Sequence, residues 1–320
     1  MTASQWLPRL LQSAVTLLIL SFLVYTLIGL MPGDPVDLMI AGNPQMTAED
    51  AARLREIYGL DQPLFSRYGH WLAGALSGDL GYSRLYGLPV LEVLWPRLLN
   101  TGLLMGISLS LTLALAVPLG VYAARKQGTL TDKAISFFCL AGISLPAFWL
   151  GLLLMALFSV KLGWLPAGSL LDSDNIGDQV KSMILPVLTL TAASLAVYIR
   201  HLRSAMIDSL KADHIRTARA KGCSESRIIW NHAFKGALPP VVTLFMLDLG
   251  TLFGGALTIE TVFAWPGMGK LMFDAIMGND YNLALTGFLL LTVFVLAANV
   301  LADAAYGLLD TRVRSEEKKA

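Results

Sequence analysis

An all-α membrane protein of about six transmembrane helices is the fold class this sequence predicts. Three observations carry that expectation. Hydrophobic residues make up 55% of the 320-residue chain and charged residues only 15%, whereas soluble domains carry about a quarter charged residues. Apolar runs of roughly 20 residues, enough to cross a hydrocarbon layer about 30 Å thick, fall near 9–30, 101–124, 134–160, 183–200, 237–260 and 283–308. Basic residues gather in some connections and thin out in others, which gives the helices a direction across the bilayer.

The first run extends from Leu10 to Leu30, longer than the apolar core of a secretory signal. It leads into Met31-Pro32-Gly33-Asp34-Pro35 with no small-residue cleavage site, so residues 1–30 read as a retained helix. Residues 31–98 are too many for a plain connector and carry helix signals of their own. Thr47 is placed to cap a helix with Glu49 and Asp50 in its first turn, and Gly59 to end it. Asp61-Gln62-Pro63 opens a second, amphipathic helix through Tyr68, Trp71, Leu72 and Leu76. This external subdomain is either a packing lid over the bundle or a surface for an outside partner. Residues 99–310 hold the other five helices, and 311–320 form a tail.

Orientation follows from the short loops. Arg125, Lys126 and Lys133 lie between the second and third runs, and a basic series from Arg200 to Lys235 lies between the fourth and fifth. Arg312, Arg314, Lys318 and Lys319 follow the last run, whereas the alternate loops hold only Lys161 and Lys181, or Lys270. Both termini and the insert 205–235 are therefore expected in the cytoplasm, in a multi-pass membrane protein.

Within the runs, Gly102 and Gly106, and Gly250 and Gly254, recur at helix-contact spacing. Asp248 falls near the middle of the fifth run, where a charge is costly and faces protein or water. It is either a polar point on a translocation route or a hydrogen-bonded residue holding two helices together. Cys139 and Cys223 read as small apolar fillers and not as a disulfide.

Catalytic patterns are missing. His70, His201, His214 and His232 are scattered, with no HExxH and no Cys–His set. Gly267-Met268-Gly269-Lys270-Leu271 imitates part of a phosphate loop. However, Ala264 stands at the first glycine position and Leu271 replaces the Ser or Thr. No metal, cofactor or nucleic acid is expected on this chain, and any ATP and Mg would be bound by another subunit.

The insert is the most informative stretch. Asp213 is placed to cap a short helix through Lys221, with Gly222 as its stop. Ile215, Ala218 and Gly222 share one modestly apolar face, while Arg216, Arg219 and Lys221 line the other, with Thr217 between. Ser224 opens a further helix with Ile228, Ile229 and Trp230, leading to Leu238-Pro239-Pro240. Such a helix is either a lever gripped by a soluble ATPase or a solvated basic face obeying the positive-inside rule.

Five motifs are spread along the chain: Pro32-Gly33-Asp34-Pro35, Tyr58-Gly59-Leu60-Asp61-Gln62-Pro63 and Ser144-Leu145-Pro146-Ala147-Phe148-Trp149-Leu150. With them stand Arg216-Thr217-Ala218-Arg219-Ala220-Lys221-Gly222 and Glu260-Thr261-Val262-Phe263-Ala264-Trp265-Pro266-Gly267-Met268-Gly269. Together and in this order they resemble the first membrane permease of the peptide/nickel group of ABC-type importers, almost end to end. The wider superfamily has Glu-Ala-Ala, three residues and Gly in this loop, then Leu-Pro. Here Ala218 and Gly222 fit, Arg216 and Thr217 depart, and Leu238-Pro239 falls about one helical turn late.

The resemblance implies a type I importer fold, a heterodimer with a second permease, two ATPase subunits and an extracytoplasmic substrate-binding protein. It implies di- or oligopeptide import, with nickel or metal chelates as the alternative substrate class. Asp213 to Gly222 would couple to the ATPase. Glu260, Trp265, Pro266 and Gly267 would lie at an outer gate, or form a re-entrant turn with an aromatic anchor at the membrane interface. An intramembrane enzyme or a scaffold is disfavoured by the missing nucleophile and by the docking insert.

Overall fold

In the computed structural model the described residues are 3–30, 47, 49–50, 52–53, 61–251 and 256–309. The motif residues 32–35 and 58–60, Gly59, Gly254 and the tail 311–320 lie outside them. Among the described residues the protein is helical, with one isolated bridge pairing Tyr82 and Pro89.

Helix α1 spans Ala3–Gly29. Its exposed side carries Leu11, Val15, Leu18, Ile19, Leu23 and Leu27, as a lipid-facing helix requires. Its other side meets α2, Leu64–Leu76, through an aromatic stack of Phe22, Phe65, Tyr25, Tyr68 and Trp71. The hydroxyls of Ser21 and Tyr68 share a 2.6 Å hydrogen bond at that seam. The amphipathic outer helix read from Asp61-Gln62-Pro63 therefore exists and is docked on α1, with Pro63 at its N-cap. Earlier in the loop, Thr47 Oγ1 accepts from the Asp50 N–H while Asp50 Oδ2 accepts from the Thr47 N–H. This is the reciprocal cap that the Thr-x-x-acid spacing predicts, and it holds the Asp50 carboxyl below its usual range.

Two long helices form the spine. α3 spans Val90–Arg125 and α6 spans Ile176–Lys211, 36 residues each. At 1.5 Å per residue each is roughly 54 Å long, well beyond the hydrocarbon thickness of about 30 Å. Apolar runs mark only the membrane-embedded middle, so 101–124 and 183–200 understate both helices, and α3 begins inside the segment assigned to the outer loop. The two run parallel: Thr191 Oγ1 donates to Ser108 O near mid-length, and Leu202 packs on Gly120 toward their C-terminal ends. A Cβ at Gly120 would lie 3.1 Å from Leu202, so the small residue sets the approach. Close contact at a small residue is thus present at Gly120, a position outside the expected pairs. A Cβ on Gly106 would meet nothing within 4 Å.

The third apolar run is not one helix. α4, Leu130–Ser144, and α5, Ala147–Met155, meet at 96°. Pro146 disfavours the helical region for Leu145, which is extended at φ −92°, ψ 125°, and Pro146 becomes the N-cap of α5. A π-helical turn, Ala156–Lys161, continues α5.

After α6 come α7 (Asp213–Ala220), α8 (Glu225–Arg227) and a second π-helical turn, Ile228–Ala233. α9, Phe234–Thr251, follows with Pro239 and Pro240 inside it. α10 (Leu257–Val262), α11 (Met268–Met277) and α12 (Tyr281–Leu309) complete the described chain. Four described helices are long and apolar enough to cross a membrane, within α1, α3, α6 and α12, and the bent α4–α5 pair makes a fifth. The remaining expected span corresponds to α9, whose described part ends at Thr251.

Candidate functional site

The elbow is built by one residue of extended chain. Ala212, at φ −67° and ψ 151°, breaks α6 from α7 and serves as the N-cap of α7. Asp213, expected as the cap, sits instead in the first turn, exposed and 3.3 Å from Arg216. There its charge still suits the helix N-terminus. Gly222 ends the helix as the sequence indicates, at φ +77°. The Gly222 N–H donates to Arg219 O at 2.9 Å and the Cys223 N–H to Ala218 O at 3.2 Å. That pair of bonds is the Schellman arrangement, which requires a left-handed residue after the C-cap.

The helix is two-sided as read. Ile215 is fully buried and Ala218 nearly so, in a cluster with Met206, Ile228, Ile229 and Ala233. Arg216, Thr217, Arg219, Lys221 and Gly222 are exposed. Arg219 reaches Glu225 at 3.0 Å, joining α7 to α8 across the turn. Cys223 packs against the same cluster and Cys139 is buried, both as free thiols.

Two anchors of this region escaped the sequence reading. Ser209 Oγ, near the end of α6, donates to Ala233 O at 2.8 Å, where the π-helical turn meets α9. Arg203 grips the buried Asp132 with two hydrogen bonds, Nε to Oδ1 at 2.5 Å and Nη2 to Oδ2 at 2.7 Å. Asp132 Oδ2 also accepts from the Gly128 N–H at 2.9 Å. The Thr129-x-x-Asp132 spacing is a capping signal visible in the sequence, but nothing local names Arg203 as its partner.

At the opposite end, Glu260 to Gly269 form a turn against the start of α3. Ala264 takes φ +49°, and the Trp265 N–H donates back to Glu260 O at 2.7 Å. Glu260 is fully buried; its Oε1 accepts from Thr101 Oγ1 at 2.6 Å and its Oε2 from the Lys270 N–H at 2.9 Å. The carboxylate therefore sits on the exposed amides at the N-terminus of α11. Thr101 Oγ1 accepts from the Met268 N–H at 2.7 Å, and Asn100 Nδ2 donates to Pro266 O at 2.9 Å. A Cβ on Gly267 would fall 2.2 Å from the Glu260 carboxyl carbon, so this contact requires glycine.

Trp265 is not an interface anchor. It is wholly buried with Leu104 and Val187, and its Nε1 donates to Asn100 O at 3.2 Å. A tight turn is present there, and the indole fills the core. Nearby, the buried Asp280 accepts from Ser83 Oγ and from the Leu85 and Leu283 N–H groups, pinning the loop before α3 to the start of α12. Asp248, half-buried on α9, accepts from Tyr198 OH of α6 at 2.7 Å. Among the described residues no group of three or more His, Cys, Asp or Glu is placed to hold a metal ion.

Residues 116–315 match the family described as "Binding-protein-dependent transport system inner membrane component", and residues 4–85 match its N-terminal companion. The chain belongs to that transport family. Two relatives extend the match to nearly the whole chain. The oligopeptide transport system permease protein AppB of Bacillus subtilis is 38% identical over 315 residues, covering 97% of this chain and 99% of that protein. The di/tripeptide transport system permease protein DppB of Pseudomonas aeruginosa is 40% identical over 327 residues, covering 92% and 94%. A solved structure of the MetNI methionine ABC transporter in inward-facing conformations superposes with a TM-score of 0.56 at 19% identity, over 69% of this chain and 98% of that one. The likeness establishes the type I permease fold for this member of the binding-protein-dependent family.

Proposed function

We propose that the chain is the first of two related permeases in an ATP-driven importer of di- or oligopeptides. It supplies half of the translocation pathway. Identity of 38–40% over most of the chain to relatives named for oligopeptides and di/tripeptides supports the substrate class. The two-sided α7 supports the mechanism: its inner face is locked into the bundle and its basic face is free for a partner. ATP and Mg belong to two partner ATPase subunits, and an extracytoplasmic binding protein delivers substrate. Both termini and α7 face the cytoplasm in this reading, and residues 31–98 face outward.

ATP-driven closure of the ATPases pushes on α7. Because Ile215 and Ala218 pack with Met206 and Ile228, α7 cannot slide without moving α6 and the base of α9. Alternating access then follows as a rigid-body movement of packed helices. Glu260, Pro266 and Gly267 hold the outer turn that closes the far end. Asp248 lies between the two ends as a helix-to-helix contact.

The test is reconstitution with the second permease, the ATPases and the binding protein. We expect ATPase activity to rise with peptide-loaded binding protein and labelled tripeptide to enter vesicles. Stimulation and uptake by a nickel chelate, with none by peptide, would transfer the complex to the alternative substrate class. Purification of this chain free of any ATPase would defeat the coupling reading.

A further inference from the structure

The Asp132–Arg203 pair holds the first turn of α4 to α6, and Ile135 and Cys139 pack further along α4 into the elbow cluster. Of the 15 residues of α4, only Asp132 and Cys139 are buried, while Leu130, Phe137, Phe138, Leu140 and Ile143 are exposed. Beyond Pro146, α5 is secured separately, with Gly151 closely packed on Phe263. Between the halves lies the 96° bend at Leu145-Pro146. Half of a broken span is therefore oriented by an ion pair at its first turn, rests on α6 along one stripe through Ile135, Cys139 and Gly142, and ends at the bend.

The other partner of that ion pair stands on α6, which leads into α7. Arg203 lies eight residues before Lys211, the end of α6, about 12 Å along an unbroken helix. α7 follows after the single residue Ala212. The two-pronged bond fixes both the distance and the orientation of guanidinium and carboxylate. Gly128, holding the same carboxylate, adds the tight turn between α3 and α4. The pair is part-buried, with the Arg203 side chain 28% and the Asp132 side chain 4% exposed, and its two-pronged geometry suits it to set the position of α4 against α6.

We propose that Asp132 and Arg203 are positioning residues that transmit the movement of α7 to α4, swinging this half-span about Leu145-Pro146 during the transport cycle. The proposal rests on α7 being the ATPase-driven lever. It adds the element that moves and the side chains that move it.

Cys139 is a native reporter, buried on α4 beyond the pair. The experiment uses the complete transporter with Cys223→Ser, probing Cys139 with a membrane-permeant maleimide in ATP-free and ATP-trapped states. We expect a several-fold difference in labelling between the states, abolished in Asp132→Leu/Arg203→Met. That apolar pair should assemble normally and hydrolyse ATP while the peptide imported per ATP falls at least tenfold. The charge-exchanged pair Asp132→Arg/Arg203→Asp should recover part of that ratio.

Equal labelling in both states without these substitutions overturns the proposal. So does a state difference, or an unchanged transport ratio, that survives in the apolar pair. An apolar pair that fails to assemble marks the contact as a folding element and overturns it too. Gly222→Ile serves as the separate control. If Gly222→Ile keeps coupled uptake, the lever itself is wrong; if it uncouples while the apolar pair does not, only the swing of α4 is wrong.

Discussion

Tyr198 of α6 donates its phenolic hydrogen bond to Asp248 of α9 across 2.7 Å. Tyr198 is almost fully buried and Asp248 half-buried, so an acid that reads as an intramembrane anomaly is part of a helix–helix contact. Asn preserves an acceptor oxygen at that position. Asp248→Asn is therefore expected to assemble and take up peptide at close to the original rate. Tyr198→Phe should destabilise the bundle by about 1 kcal/mol, in line with hydrogen bonds between membrane helices. Thermal unfolding of the purified complex and an uptake assay check both, and loss of uptake in a well-assembled Asp248→Asn would return the residue to the substrate route.

Gly222 holds a left-handed conformation that costs a side-chain-bearing residue roughly 1–2 kcal/mol, and Ala218 is 6% exposed inside the elbow cluster. Gly222→Ile and Ala218→Glu are each expected to leave ATP hydrolysis measurable while uptake falls at least tenfold. The ratio of uptake to hydrolysis is the measurement. Full coupling in both variants would discredit α7 as the lever.

The turn from Glu260 to Gly269 should fail sterically at Gly267 and electrostatically at Glu260. Gly267→Ala places a methyl group onto the Glu260 carboxyl, so assembly should drop sharply. Glu260→Ala strands the Lys270 N–H and Thr101 hydroxyl, at about 1–3 kcal/mol for buried groups left unpaired. Glu260→Gln, which keeps one acceptor oxygen, should be milder. Yield and unfolding temperature of the purified complex rank the three, and a Gly267→Ala protein as stable as the parent would refute the packing argument.

Asp280 ties the loop before α3 to α12 through Ser83 and the Leu85 N–H. Asp280→Ala should release residues 78–88 and raise their cleavage by an added protease several-fold, with a smaller effect for Ser83→Ala. Unchanged cleavage in Asp280→Ala would show that the loop is held by its apolar contacts alone.

Local signals were read well where the chemistry is local. The Thr47–Asp50 cap, the start of α2 at Pro63 and the Gly222 stop each depend on residues within one turn of each other. The cap of α7 is not legible in the sequence because Ala212, lacking any capping side chain, is set by the break at the end of α6. Gly106 carries the small-residue spacing but meets no neighbour, whereas tight helix approaches fall at Gly120 and Gly151, against Leu202 and Phe263, which are distant in sequence. The burial of Trp265 was equally invisible, since an aromatic at a turn looks the same whether it faces lipid headgroups or a core.

Composition and periodicity by themselves determined that the chain is a helical membrane protein, which segments enter the bilayer, and that a basic two-sided helix interrupts them. Those properties follow from what each segment needs of its solvent, apolar length in lipid and charge in water. Only the tertiary structure decided that the third span is bent, that Glu260 and Trp265 are locked inside, and that Asp132 belongs to Arg203. Each of those outcomes depends on which side chain a folded chain brings within about 3 Å of another, and no short-range pattern encodes that meeting.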